Sequence, residues 1–128
     1  MPGQRLNPPG VHTPQANYNH VSRVGNTLYI SGQIPLDPQG NLVGPGDAEK
    51  QAEQCYRNIE TIVKHFGGTL ANVEKITQFM TSLDHRPPAG RARDKFFQPP
   101  YPASTLVVIT SLASPDILIE IEAIAVLD

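Results

Sequence analysis

The fold of this chain is decided by residues 21–37, VSRVGNTLYISGQIPLD, which predict two strands joined by a tight turn. Residues 21–24 and 27–31 are rich in β-branched and aromatic residues, as strands usually are. Gly25-Asn26 between them supplies the positive φ that a two-residue hairpin turn needs. Prolines and glycines then crowd residues 35–46, so a loop follows the hairpin. Loops at strand ends are where ligand contacts often collect.

A long amphipathic helix follows this loop. Asp47 can cap its first turn, and Gly67-Gly68 ends it. Apolar residues recur at alternating steps of four and three, which places them on one helical face. These positions are Ala48, Ala52, Cys55, Ile59, Ile62 and Phe66. Because Cys55 lies within this stripe, we expect it to be a small buried side chain rather than a catalytic thiol.

The rest of the chain alternates strands and helices. The predicted elements are a strand over 75–82, a helix over 87–97, and strands over 105–110 and 117–127. Residues 105–110 are continuously apolar, which is typical of a strand covered on both sides. The order β-β-α-β-α-β-β predicts an α+β fold with one mixed sheet and both helices on one face.

Length and composition predict one ordinary globular domain over 1–128, in which the proline-rich residues 1–17 form an extended segment. No apolar run approaches the ~20 residues that cross a bilayer, so we expect no membrane partner. The net charge of -2 offers nucleic acid no general attraction. Because Cys55 is the single cysteine and the N-terminus carries no apolar leader, we expect a cytoplasmic location.

If both helices cover one face of the sheet, the other face would be left to water. Val107, Ile109, Ile124 and Val126 are too apolar for a solvated surface on every strand. Burial against further copies of the chain is the simplest symmetric solution. We therefore predict a homo-oligomer with this face or the sheet edge in its interface.

Two carboxylates, Glu120 and Glu122, point to the same side of the last strand. If one of them loses water, its pKa rises and it can transfer protons to a bound substrate or orient a water molecule, while the other remains ionised. The commoner explanation for such a pair is two solvated strand residues. The apolar flanks Leu118 and Ile124 favour the catalytic explanation.

Histidines and arginines give weaker signals. The four histidines lack the spacing of metal ligands, so we predict no metal site. His20 lies beside Tyr18, where the N-terminal segment enters the first strand, and either residue could serve a ligand or simply pack there. Around the second helix lies a basic cluster that could attract phosphate or carboxylate, although a solvated helix face is the commoner explanation; its members are Arg86, Arg91, Arg93 and Lys95.

Two segments resemble the RidA, or YjgF, family of reactive-intermediate deaminases. They are residues 24–37 with their Ser-Gly-Gln-Ile-Pro-Leu-Asp run, and the ending Ile-Glu-Ile-Glu-Ala-Ile-Ala over 119–125. The resemblance implies a chorismate-mutase-like subunit, a homotrimer with a central barrel, and pockets between subunits that take a small-molecule metabolite. It also implies hydrolysis of enamines and imines to keto acids and ammonia without a cofactor.

The resemblance assigns roles to particular residues. Tyr18 matches the family's pocket tyrosine, Ser31 and Gly32 match its strand-end contacts, and Glu120 matches the acid that positions water. Hydrolysis of an iminium needs an acceptor that holds the water and a proton source for the leaving nitrogen. Glu120 could do both.

The substrate anchor departs from the family pattern. Ser104 stands where active deaminases carry an arginine that binds the substrate carboxylate, Leu106 replaces a small cysteine, and Gly90 replaces an asparagine. Asn19 and His20 replace the usual Ser-Gln. A serine hydroxyl cannot neutralise a carboxylate, so a small imino acid would lose an interaction worth at least ~2 kcal/mol.

Two functional interpretations follow. In the first, the chain is a hydrolase for an imine, enamine or related activated carbonyl compound that is neutral or anchored by another group, with Glu120 as base and Tyr18, His20 or Ser104 assisting. Arg91 or Arg93 would serve as that anchor if its side chain reached the cleft. In the second interpretation, the trimer only binds a metabolite or acts through a partner. Ribonuclease activity is a distant third, because neither charge nor aromatic pattern favours it.

Overall fold

The computed structural model describes residues 3–128. The strands are β1 (Gln4–Leu6), β2 (Val21–Val24), β3 (Thr27–Gln33), β4 (Val73–Met80), β5 (Ala103–Val108) and β6 (Ile119–Val126). The helices are α1 (Ala48–His65) and α2 (Arg86–Phe96), and short 3-10 turns precede β4 and α2. The six strands form one sheet in the order β1-β2-β3-β6-β4-β5, in which only the β4–β5 pair is parallel. The predicted α+β architecture is confirmed.

Local signals in the sequence explain the hairpin and the long helix. Gly25 has a φ of +59°, which lets the chain reverse between paired residues Val24 and Thr27. The Asp47 side chain accepts a hydrogen bond from the Lys50 backbone N–H and so caps α1. Cys55 is fully buried in the stripe that α1 turns toward the sheet.

Two expectations need correction. The N-terminal segment is not merely extended, because residues 4–6 form β1 and pair with β2. The apolar strand β5 is not covered on both sides within the chain, since it lies at the edge of the sheet and its residues are mostly exposed. The apolar side chains of β5 indicate that this strand needs to be buried. Its location at the edge of the sheet depends on the order in which the strands pair, which the side-chain pattern does not show.

The two faces of the sheet differ sharply. Ile119, Ile121, Ala123 and Ala125 of β6 are buried beneath the helices. On the opposite face, which we call the open face, Tyr29 is 50% exposed and Ile124 is 36% exposed. No element formed by residues 3–128 covers the open face, as the sequence predicted. Neither described helix is long and apolar enough to cross a membrane.

Candidate active site

A bulge in β3 places a glycine beside the candidate catalytic acid. The pairing of β3 with β6 shifts by one residue between Ile30 and Gln33. In this irregular stretch the Glu120 carboxylate lies directly against Gly32, and a β-carbon on residue 32 would overlap Oε2 of Glu120. Position 32 therefore needs glycine for close approach rather than for an unusual φ.

Glu120 lies on the open face in a partly dry environment. Its neighbours in sequence, Ile119 and Ile121, are buried on the other face, while Glu120 itself is half-buried and Glu122 is exposed. Burial raises the pKa of the Glu120 carboxyl above its ordinary value, and the negative charge of Glu122 raises it further. The predicted same-side arrangement of the two acids is confirmed, and Glu120 is the less exposed of the two.

Tyr18 and Ser31 line an open cleft of about 510 Å³ on this side of the sheet. The Ser31 hydroxyl donates to the Asn19 carbonyl at 2.7 Å, and the Ser31 backbone N–H donates to the His20 carbonyl at 2.9 Å. These bonds tie the segment that carries Tyr18 to the end of β3. Glu122 lines this cleft together with Tyr18 and Ser31, whereas Glu120 is not among the residues that line it.

His20 is buried beneath Tyr18, in agreement with the packing alternative that the sequence left open. Its ring is fully buried. Nε2 donates to the His12 carbonyl at 2.6 Å, so Nδ1 accepts from the Gln33 amide at 3.1 Å. The Tyr18 ring meets the His20 ring edge-on, with centroids 6.2 Å apart. His20 therefore contacts two residues that line the cleft, Tyr18 through its ring and Ser31 through its carbonyl.

The partners of His20 were not predictable from the sequence. His12 and Gln33 are both buried, and neither ring nitrogen of His12 has a hydrogen-bond partner among the described residues. The rings of His12 and His20 pack edge to face with centroids 4.9 Å apart. In the sequence, His12 precedes Tyr18 and β2, and Gln33 is the last residue of β3, so no local pattern joins these residues to His20.

Ser104 and Leu106 lie on the helix side of the sheet, opposite the face of Glu120. They pair in register with Ile76 and Gln78, two buried residues of β4. The Gln78 amide donates to the Ser104 hydroxyl at 3.1 Å. Within one chain, the structure therefore does not bring Ser104 and Leu106 together with Glu120.

The basic cluster of α2 divides into two parts. Arg91 is bound to Glu49 of α1, with Nε and Oε1 2.6 Å apart, so its charge is used in a contact between helices. Arg93 instead lines two neighbouring depressions, one with Gln78 and Leu106 and the other with Ser104. Of the two arginines considered as substitute anchors, only Arg93 reaches the surroundings of Ser104.

No metal-binding arrangement accompanies these groups. Across residues 3–128, no three side chains of His, Cys, Asp or Glu come together in a way that could hold an ion. The chemistry that the described residues offer is that of a half-buried acid, a tyrosine, a serine and exposed guanidinium groups.

Comparison with known proteins places this arrangement in a family. A sequence model described as endoribonuclease L-PSP matches residues 10–127. The chain is 29% identical to a 2-iminobutanoate/2-iminopropanoate deaminase of Dermatophagoides farinae over 99% of this chain and 98% of the relative. It is 36% identical to a RutC family protein of Sulfurisphaera tokodaii over 87% of this chain and 88% of the relative.

Solved structures show the same architecture. RidA from an Antarctic Psychrobacter matches with a TM-score of 0.89 at 31% identity, over 97% of this chain and 99% of that one. Escherichia coli TdcF with bound serine matches with a TM-score of 0.90 at 28% identity, over 98% and 99% of the two chains. The six-stranded mixed sheet and its two helices thus define a RidA-type fold. The chain belongs to the RidA/YjgF family, which confirms the resemblance seen in the sequence.

Proposed function

We propose that this protein is a cofactor-free hydrolase that converts an imine or enamine metabolite to the carbonyl compound and ammonia. The observation that carries the proposal is the half-buried Glu120 carboxylate, which lies against Gly32 with a raised pKa. Family membership supports it, and one relative bears the name 2-iminobutanoate/2-iminopropanoate deaminase.

The chemistry requires one group that takes and returns a proton. Ionised Glu120 accepts a proton from water as the water oxygen bonds to the iminium carbon. The protonated acid then gives that proton to the amine nitrogen, and the C–N bond breaks to release ammonia. As the carbonyl forms, ionised Glu120 takes the remaining hydroxyl proton and passes it to ammonia, which leaves as ammonium. A carboxyl whose pKa is raised toward neutrality serves both steps better than a fully solvated one. An enamine enters the same sequence after protonation at carbon.

The site we propose lies between subunits of a homotrimer. Glu120 and Ser104 lie on opposite faces of the same sheet, so they can border one pocket only if two copies of the chain contribute to it. The apolar open face and the free edge at β5 give such assembly a driving force. Tyr18, Ser31 and Glu120 would come from one subunit, and the surroundings of Ser104 from the next.

Ser104 changes the substrate that we expect. Without a guanidinium at position 104, the smallest imino acids such as the 2-aminoacrylate tautomer lose their strand-borne anchor. We propose a substrate that is neutral or that is held by another cation. Metabolite binding without turnover is the alternative, because the same pocket could bind a ligand without hydrolysing it.

Ammonia release decides between these functions. Imines released in situ by an amino-acid oxidase would be offered to wild-type protein, to Glu120→Gln and to Glu74→Gln, an exposed acid of β4 that serves as the control. We expect Glu120→Gln to lose about 100-fold or more of the catalysed rate, as removal of an acid–base group commonly does. Glu74→Gln should retain the wild-type rate. Binding of the keto product with no catalysed release by any variant would favour the metabolite-binding alternative.

The assembly is tested separately by mass. Light scattering of the purified protein should give about three times the 13.9 kDa of one chain. A monomer that still hydrolyses imines would contradict a pocket shared between subunits.

A further inference from the structure

Two arginines of α2 face a depression on the helix side of the sheet. Arg86 and Arg93 line a volume of about 320 Å³ together with Gln78, Gly90 and Leu106. Arg93 also borders a neighbouring volume of about 420 Å³, which Tyr101 and Ser104 line. Arg93 therefore stands where the two depressions meet, within reach of a ligand in either.

Acidic side chains among the described residues do little to neutralise these two guanidinium groups. Arg86 has no salt bridge to any described residue, and Arg93 meets only its exposed sequence neighbour Asp94, at 3.5 Å between Nε and Oδ1. Arg91, two residues earlier on the same helix, is bound to Glu49, with Nε and Oε1 2.6 Å apart. Exposed pairs such as Arg93–Asp94 contribute little, so an entering anion can displace Asp94 at small cost.

Gly90 leaves the space into which Arg93 folds. The Nη2 atom of Arg93 lies 3.8 Å from the position that a β-carbon on residue 90 would occupy. A long side chain at position 90 would fill the volume beside this guanidinium. The glycine thus keeps the guanidinium side of Arg93 open to the depression.

Ser104 is oriented as a hydrogen-bond donor to the same volume. Its hydroxyl oxygen accepts from the amide of Gln78, and the Gln78 carbonyl oxygen in turn accepts from the buried Tyr56 hydroxyl at 3.4 Å. Gln78 is 2% exposed, so its amide orientation is fixed by these two bonds. Because the Ser104 oxygen already accepts a hydrogen bond, its own proton is free to be donated to an anion.

We propose that Arg93, assisted by Arg86 and Ser104, is the carboxylate anchor of the active site. The inference rests on the proposed function, because the imine carbon must be presented to Glu120 of a neighbouring subunit. It assigns the substrate class as imines that carry a carboxylate. It also favours chains longer than 2-iminopropanoate, since the two depressions offer more room than a three-carbon acid fills.

Product binding tests the anchor without turnover. The probe is 4-methyl-2-oxopentanoate, the keto acid from the leucine-derived imine, titrated calorimetrically into the assembled protein. Arg93→Gln should weaken binding by about 10-fold or more, the scale of a charge-assisted contact. Arg91→Gln is the matched control on the same helix and should leave the affinity unchanged. Arg93→Lys should fall between, because an ammonium lacks the planar fork.

Four further outcomes test the inference or separate it from the proposed function. If 4-methyl-2-pentanone, which lacks the carboxylate, loses as much affinity in Arg93→Gln as the acid does, Arg93 is not a carboxylate anchor. If inorganic phosphate competes as strongly as the keto acid, the site is a general anion site and the inference fails. If Glu120→Gln abolishes turnover but retains Arg93-dependent binding, both proposals stand. If wild-type protein binds the acid through Arg93 and never releases ammonia, the anchor stands and the hydrolase proposal fails.

Discussion

The Glu120 carboxylate occupies the space beside Gly32 that any other residue would fill with its β-carbon. The contact joins β6 to the bulged end of β3, and it leaves the acid no room to move toward that strand. The residue at position 32 therefore helps to fix where the Glu120 carboxylate lies.

Gly32→Ala should separate activity from folding. The added methyl meets the far end of a flexible side chain, so Glu120 can rotate away and the chain can still fold. We expect a loss of about 10-fold or more in kcat, because a displacement of about 1 Å in a catalytic group costs up to 100-fold. Circular dichroism and thermal melting should show a folded protein. Wild-type activity in this variant would show that the Glu120 position is not limiting.

The pH dependence of catalysis should report the environment of Glu120. Since burial and the Glu122 charge raise the pKa of Glu120, the acid limb of kcat/KM should lie above the ordinary glutamate value of 4.5. Glu122→Gln removes the second negative charge and should move this limb to lower pH. Profiles corrected for uncatalysed imine hydrolysis would show the shift. An acid limb that is the same in wild type and Glu122→Gln would contradict the coupling of the two acids.

Protein stability should fall on mild acidification because of His12. Burial lowers the pKa of His12 below its ordinary 6.5, and a charge on His20 lowers it further. The unfolded chain then binds more protons than the folded one, so the contribution is fully present above about pH 6.5 and is lost below it. The loss approaches about 1.4 kcal/mol per pH unit at most.

Urea unfolding of wild type and two variants at pH 7.5 and 5.5 would measure this effect. His12→Gln should show a smaller loss between the two pH values than wild type. His65→Gln, which alters an exposed histidine at the end of α1, should behave as wild type does. Equal losses in all three proteins would exclude His12 as the source.

Ser104→Arg should improve the handling of the smallest imino acids. A guanidinium on β5 restores two charge-assisted hydrogen bonds to the carboxylate, and each such contact is worth about 1.5–3 kcal/mol. We expect kcat/KM for 2-iminopropanoate to rise by about 10-fold or more. Ser104→Gln, which adds bulk without charge, is the control and should not gain activity. A gain shared by both variants would point to pocket shape instead.

The elements that local chemistry determines were predictable from sequence. Gly25 reverses the hairpin and Asp47 caps α1 because each acts on residues next to it in the chain. The strand β1 was missed because three residues carry no periodicity, and its pairing with β2 joins residues far apart in sequence. The edge location of β5 was missed because an apolar edge strand and an apolar central strand read alike.

In the candidate site, too, the features set by local sequence were predictable and those set by long-range contacts were not. Strand alternation placed Glu120 and Glu122 on one face, and the resemblance to the family singled out Glu120. The ring contacts of His20 with His12 and Tyr18 and its bond to Gln33 depend on how the N-terminal segment folds over β3, which no local pattern encodes. Arg91 and Arg93 could not be distinguished until the packing of α2 against α1 showed which arginine faces Glu49.

The unpaired edge of β5 affects how the purified protein should be handled. Ala103–Val108 bonds to β4 alone, so a row of amide and carbonyl groups on its other side has no partner strand among residues 3–128. An unpaired strand edge of this kind can form backbone hydrogen bonds with a similar strand of another chain. Single chains released from the proposed trimer should therefore be lost to precipitation, and a concentrated stock should keep better than a dilute one.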